Sequence, residues 1–302
     1  MTILFESFSE WKAFCEQKSL PTWQPVMIYE QELRGREENE IWARLEQTYA
    51  VMKDAVQTGL EQDMRSLSGM VDNGAKKVHQ SPISVLGPQF KMLLSYALSA
   101  KEVNSCMGRV VAAPTAGASG IMPGVLVTME EIHELDKQTL YESMLVAAGI
   151  ALIIEQRASI AGAVGGCQAE TGTAAAMGAG AIVYALGGNL DQVFEAVGIT
   201  IMNMLGLVCD PVAGLVEIPC IKRNGSAAVI AFASAQMALA GDRAMIPVDE
   251  IVDAMGEVGS AMEVRYKETA LGGIANTPTA REIEKRVLIQ EAEEVKASEG
   301  KA

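Results

Sequence analysis

The stretch GGCQAETGTAAAMGAGA, Gly165 to Ala181, carries one charged residue, Glu170, and is otherwise built mainly of glycine and alanine. Such small residues favour closely approaching helices, because strand cores select β-branched and aromatic side chains instead. The whole chain has the same character: 49% hydrophobic residues but only 5% aromatics, with 28 glycines and 17 methionines. The composition therefore predicts an all-α, mostly helical fold, a single helical domain with Gly- and Pro-rich loops between buried helices. The uncharged run Thr171 to Leu190 is long enough to span a bilayer, but its five glycines and alanine-rich make-up fit a buried helix of a soluble core.

Working outward, helices are expected over Ser9–Lys18, Arg36–Thr58, Pro88 to about Lys101, about Ser119 to Leu135, Lys137–Ser159, Thr173–Leu186, Leu190–Leu207, Ser226–Ala240 and Val248–Gly259. The second has its apolar face at Ile41, Leu45, Tyr49, Met52 and Val56, spaced by three or four. SLPTWQP (19–25) reads as a stop with two prolines, SGMVDNGAKK (68–77) as a turn-rich connection, GRVVAAPT (108–115) as extended and IAGAVGG (160–166) as a break. Hardly any segment alternates with period two, and no fixed-period repeat is present. Three regions are expected: an N-terminal helical segment 1–65 packed on the core, a helical core 66–280, and a charged tail 281–302 forming a solvated helix or frayed end.

The formal net charge of −14 repels phosphate backbones, so nucleic acid is not an expected partner. Met1 to Leu20 lacks the layout of a secretory signal, and no membrane association is expected, so the reading is cytoplasmic. Five cysteines, odd in number and scattered, argue against a disulfide framework.

Cys167 follows two glycines, Cys209 precedes Asp210-Pro211 and Cys220 follows Pro219, with spacings of 42 and 11 residues. Glycine permits close backbone approach and proline stiffens turns, so these thiols are expected at loops or helix ends where free N–H groups can meet sulfur charge. That setting suits an iron-sulfur cluster. The spacing alone matches neither a ferredoxin run nor a zinc-ribbon pair, and buried cysteine is commonly inert packing. Cys15 and Cys106 are read as structural.

GRVVAAPTAGASGIMPGVL (108–126), GGCQAETGTAAAMGAGA (165–181), GLVCDPVAGLVEIPCIKRN (206–224) and ETALGGIANTPT (268–279) closely resemble the α subunit of the iron-sulfur-dependent, two-subunit L-serine dehydratases. The resemblance covers about Ser66 to Thr279. It implies a helical catalytic chain carrying a 4Fe-4S cluster on three cysteines, which match Cys167, Cys209 and Cys220. One iron is thereby left to act as a Lewis acid on the substrate hydroxyl, with no pyridoxal phosphate. It also implies a β subunit that completes the site and supplies a histidine, hence a hetero-oligomer. Single-chain relatives end in a cysteine able to occupy the open iron; EVKASEGKA (294–302) has none, so tail self-inhibition is not expected.

For L-serine, the loop APTAGASG (113–120) is the expected carboxylate anchor through Thr115, Gly117, Ser119 and Gly120, because a Gly-containing loop entering a helix offers several N–H groups. Ser68 and Asn73 are further candidates from the resemblance, although SGMVDNGAKK departs from the family's paired glycines followed by aspartate. Arg109 is an added charge or a surface ion pair. The general base is not identified: Glu170, Lys222 and His79 are the candidates on this chain, and His133 reads as a solvated helix-face residue. Two other functions compete with serine deamination. They are cluster-dependent elimination from cysteine or threonine, and a non-catalytic cluster-binding sensor or scaffold subunit.

Overall fold

The computed structural model describes residues 5–299, with side chains described as far as Ile289. Expectations that reach into residues 1–4 and the chain's last residues, including the tail cysteine argument, lie outside the described residues.

Among the described residues there are thirteen α-helices and no strand. In chain order they are α1 (Phe8–Lys18), α2 (Gln24–Arg34), α3 (Glu38–Glu61), α4 (Gly74–Gln80), α5 (Pro88–Ser105), α6 (Ile121–His133) and α7 (Lys137–Arg157). They continue with α8 (Gly162–Gly165), α9 (Thr173–Ala185), α10 (Leu190–Met204), α11 (Cys220–Leu239), α12 (Val248–Ala261) and α13 (Pro278–Glu299). The all-α expectation holds. Among the described residues the only strand-like pairings are isolated bridges, Arg65 with Asp72 and Cys209 with Lys267.

The core is organised around α9, every residue of which from Thr173 to Val183 is buried. It is surrounded by α6, α7, α10 and α11. A helix apolar on all sides belongs at the centre of a bundle, and small side chains let its neighbours close in. At Gly180 a methyl group would lie 2.2 Å from Ile150 Cδ1 on α7, so the α7–α9 contact needs glycine. α7 is the one described helix long and apolar enough to cross a membrane, and most of its apolar window is buried inside the molecule.

Caps fix several helix ends. Asp136 accepts a hydrogen bond from Thr139 N at 2.8 Å, and Asn189 and Gln192 form a reciprocal capping box at α10.

The N-terminal helices are attached by rings. Trp11 is fully buried and donates Nε1–H to Thr22 O at 3.0 Å; its ring stacks on Phe5 at 5.1 Å and tilts against Phe194 of α10 at 5.6 Å. Asp249 at the start of α12 accepts from Phe8 N and Ser9 N, 2.9 and 3.0 Å away.

Four readings of the sequence need correction, one of them the break at 160–166, which holds the single turn of α8. SLPTWQP is not only a stop: Pro25 sits in the first turn of α2, where its missing N–H is no loss. The connection 68–77 contains the start of α4, which has a single buried residue, Ala75, and hence no apolar stripe to announce it. Helix α11 begins at Cys220, six residues before Ser226, because Lys222, Arg223 and Asn224 interrupt the apolar pattern without breaking the helix.

Candidate active site

The three cysteines come together from three elements. Gly166, with φ +76°, turns the chain so that Cys167 opens a π-helical turn, Gln168–Gly172, leading directly into α9. Cys209 is held in an extended segment: its N–H donates to Tyr266 O at 2.8 Å and its carbonyl accepts from Glu268 N at 2.9 Å. Cys220 is the first residue of α11, after the cis Ile218–Pro219 bond. All three are buried and form no disulfide.

Gln168 locks the first two segments together. Its backbone N–H donates to Leu207 O (2.9 Å), its side-chain Nε2 donates to Met255 O (2.9 Å), and its Oε1 accepts from Gly206 N (2.9 Å).

Burial pushes all three thiols up, Cys220 to about 12, and each of Cys209 and Cys220 is pushed further by the charge of the neighbouring cysteines. Burial penalises the thiolate. Cys167 is the best compensated, because Thr171 Oγ1 lies 2.8 Å from its Sγ and the Arg223 guanidinium attracts its charge. Arg223 also pairs with Asp210 at 2.8 Å and donates to Val208 O at 2.8 Å, tying α11 to the Cys209 segment.

Glu170 stands beside these sulfurs. A methyl group at Gly162 would lie 2.8 Å from Glu170 Oε2 and 3.2 Å from Cys209 Sγ, so the carboxylate and the thiol face the same small gap. Glu170 Oε1 accepts from Thr115 Oγ1 at 2.7 Å, joining it to the loop expected to hold a carboxylate. Burial raises its pKa and the Thr115 hydrogen bond opposes that.

The loop 113–120 enters a short 3₁₀ turn, Ala116–Ala118, before α6. Gly117 faces Glu170, whose two oxygens would each lie 2.9 Å from an added methyl. Gly120 lies hard against α5, where an added methyl would be 2.1 Å from Ala97 O. Ser119 is fully buried and its Oγ has no hydrogen-bond partner among the described residues. An orphaned buried hydroxyl calls for an explanation, and a ligand is one.

Of the other predicted residues, Ser68 is buried and donates to Glu217 Oε2 at 2.7 Å. Asn73 is spent on its own loop, with φ +53° and Oδ1 accepting from Met64 N at 2.7 Å. Lys222 is exposed and lies toward Glu102 and Gly74. His79 is exposed, with Nδ1 3.2 Å from Ser95 Oγ and its ring on Tyr96. Arg109 and His133 are exposed.

Besides Gln168 and Arg223, sequence reasoning missed three polar residues that organise the site. Asn224, fully buried, donates Nδ2–H to Gly117 O (2.8 Å) and Cys220 O (2.9 Å) while Oδ1 accepts from Gly120 N (2.9 Å). It thus holds the 113–120 loop in register with a cysteine. Lys101, 0% exposed, donates to Ala116 O at 3.2 Å and to Asn104 Oδ1. Burial lowers its pKa to about 8, against the opposing charges of Cys220, Glu170 and Glu217. Glu217 is the third, one turn before Cys220. The available signal was position: Asn224 follows Cys220 by one helical turn, and Lys101 interrupts an apolar helix.

This constellation can be set beside known proteins. A sequence model described as the serine dehydratase alpha chain matches residues 17–275. The chain belongs to that family. It is 42% identical over 277 residues to the L-serine dehydratase alpha chain of Peptoniphilus asaccharolyticus, covering 91% of this chain and 95% of that one. It is 40% identical over 288 residues to a probable L-serine dehydratase alpha chain of Bacillus subtilis, covering 94% and 96%. The L-serine dehydratase of Streptomyces coelicolor is 40% identical over 256 residues, covering 83% of this chain but 56% of that longer protein. The serine dehydratase alpha chain motifs quoted above contain all three site cysteines and the 113–120 loop.

Proposed function

We propose that this chain is the α subunit of a cytoplasmic, pyridoxal-phosphate-independent L-serine ammonia-lyase. In this reading Cys167, Cys209 and Cys220 hold a 4Fe-4S cluster and a β subunit completes the site. The observation that carries it is the meeting of three buried thiols, Glu170 and the 113–120 loop, in a chain of the serine dehydratase alpha chain family.

The residues fit a cluster. Among the described residues no three His, Cys, Asp or Glu side chains close on a single ion. The three thiols nevertheless act electrostatically on one another. That is the arrangement expected for a polynuclear group, which spreads its ligands around a body several bonds across. Arg223 supplies positive charge and the Thr171 hydroxyl a hydrogen bond for thiolate sulfur, and the Ser119 hydroxyl is left without a partner among the described residues. When bound, the cluster would supply Lewis acidity to the β-hydroxyl of serine as it departs.

The remaining work falls to this chain's side chains. Asn224 and Lys101 draw the Ala116 and Gly117 carbonyls into the core, while Ala118 N–H is spent on Thr115 O, Ser119 N–H on Ala116 O and Gly120 N–H on Asn224 Oδ1. In this reading the donors left for the substrate carboxylate are the Gly117 N–H and the unpartnered Ser119 hydroxyl. Glu170, held by Thr115 and half-buried beside Cys209, is in this reading the group that carries the Cα proton. Loss of that proton and of hydroxide as water leaves aminoacrylate, which tautomerises to the imine; one water then converts it to pyruvate and ammonia. Lys222 and His79 face other surroundings and take no part.

The test is anaerobic purification with the β subunit. The expected protein is brown, releases pyruvate and ammonia from L-serine faster than oxobutyrate from threonine or sulfide from cysteine, and loses colour in air. Cys167→Ser, Cys209→Ser and Cys220→Ser should each lose iron and the visible absorption. Full iron and sulfide content in all three would end the ligand assignment.

A further inference from the structure

The side-chain amide of Asn224 is fully buried and fully used. Its N–H groups donate to Gly117 O at 2.8 Å and Cys220 O at 2.9 Å, and its oxygen accepts from Gly120 N at 2.9 Å. Two carbonyls and one N–H leave the amide a single orientation, with its oxygen toward Gly120. Gly120 immediately precedes α6 and Cys220 opens α11, so one group bolts together the starts of two helices. Among the described residues no other side chain hydrogen-bonds both to a site cysteine and to the 113–120 loop.

The amide clamps the loop on both sides of Ser119, whose buried hydroxyl has no partner among the described residues. Neither end of the clamp has room to drift. A methyl at Gly120 would lie 2.1 Å from Ala97 O, and one at Gly117 would lie 2.9 Å from each Glu170 oxygen. A buried network with no spare donor or acceptor transmits displacement, because a member that moves leaves its partner unpaired. Cys220 therefore has two attachments: its sulfur is a ligand in the reading above, and its carbonyl is held by Asn224.

We propose that Asn224 is a positioning residue that couples the two halves of the site: cluster loading fixes Cys220, Cys220 fixes Asn224, and Asn224 sets the loop that receives the substrate carboxylate. The inference rests on the serine dehydratase reading above. Such coupling is reciprocal, so a carboxylate held by the loop also helps to retain the iron. A complex stripped of iron then releases serine rather than sequestering it.

The experiment uses the reconstituted α–β complex under anaerobic conditions, with the cluster loaded and after its removal by a chelator. The probe is L-alanine, which is serine without the hydroxyl that leaves. Stripped wild type should bind L-alanine roughly 5- to 50-fold more weakly than loaded wild type, and L-alanine should raise the chelator concentration that removes half of the iron. Asn224→Leu is similar in shape and deletes all three hydrogen bonds, so its stripped-to-loaded ratio of dissociation constants should fall to within about twofold of unity. A ratio that survives in the variant would mean that alanine senses the iron directly, and equal affinities in stripped and loaded wild type would mean that the loop ignores Cys220; either overturns the proposal. If Asn224→Leu does not fold or load iron, hydrogen exchange at the wild-type Gly120 amide, whose acceptor is Asn224 Oδ1, reads the same link. Its protection should fall by roughly fivefold or more on stripping, and unchanged protection would overturn the proposal. A wild-type complex that takes up no iron would instead remove the reading on which the proposal stands.

Discussion

Around Trp11 the protein excludes water with large rings, and around Cys167 it does so with glycine, alanine and hydrogen bonds. Phe5, Phe8, Trp11 and Phe194 form one aromatic cluster joining α1 to α10. The site has no aromatic ring among its central residues; instead Gln168, Asn224, Lys101 and Arg223 cross-link backbone carbonyls and amides from four segments. Ring packing gives burial with little directional demand, so it can attach an element. Polar cross-links demand particular distances, so they can hold several loops in one geometry. The difference separates what keeps the chain folded from what keeps the site in register.

That separation can be broken by experiment. The largest effect is expected at Trp11→Ala, which removes a fully buried ring. Chemical denaturation should show a loss of about 3–5 kcal/mol, with turnover per folded molecule little changed. A loss of turnover without loss of stability would contradict the division. Gly120→Ala comes next, since the added methyl meets the Ala97 carbonyl, which belongs to a helix and cannot withdraw. It should cost about 1–3 kcal/mol and also displace the loop, so stability and KM should change together.

Lys101 gives a pH-dependent test. Its folded pKa is depressed to about 8 from 10.5 by burial. As pH falls through that window the unfolded chain takes up a proton that the folded chain refuses, so the wild-type fold loses stability. Below about 8 both states are protonated and the penalty is constant. Relative to Lys101→Met, the wild type should therefore weaken between pH 10.5 and about 8, by on the order of 1–3 kcal/mol, and run parallel below it. Parallel curves throughout would mean that Lys101 is not desolvated.

The smallest stability effect is expected at Thr115→Val, which keeps the shape and deletes the hydroxyl that holds Glu170. Denaturation should move by no more than ~1 kcal/mol, while turnover falls by about tenfold as the carboxylate loses its orientation.

The same contrast explains what could be read from the sequence. The buried Ala-Gly helix was legible because its composition permits little else, and α9 runs from Thr173 to Ala185 where Thr173 to Leu186 was expected. Pro25 and the polar α4 hid two helices, since a first-turn proline resembles a stop and a short helix with one buried residue has no stripe. The cysteines and the 113–120 loop stood out through the family motifs. Glu217, Asn224 and Lys101 did not, because their meaning lies in partners distant along the chain: Ser66 and Ser68 lie about 150 residues from Glu217, and Gly117 lies 107 from Asn224. Periodicity reports which face is buried, and it carries no information about which amide meets which carbonyl.

Helix α9 has no solvent face. On an ordinary amphipathic helix roughly half of the positions are free to vary during evolution, but from Thr173 to Val183 every substitution that enlarges a side chain must be answered by a neighbouring helix. Because α9 continues without interruption from the turn that carries Cys167, any such accommodation would reach the thiol within about five turns. Mutational tolerance along this segment is therefore set by the precision of the sulfur's position as much as by folding.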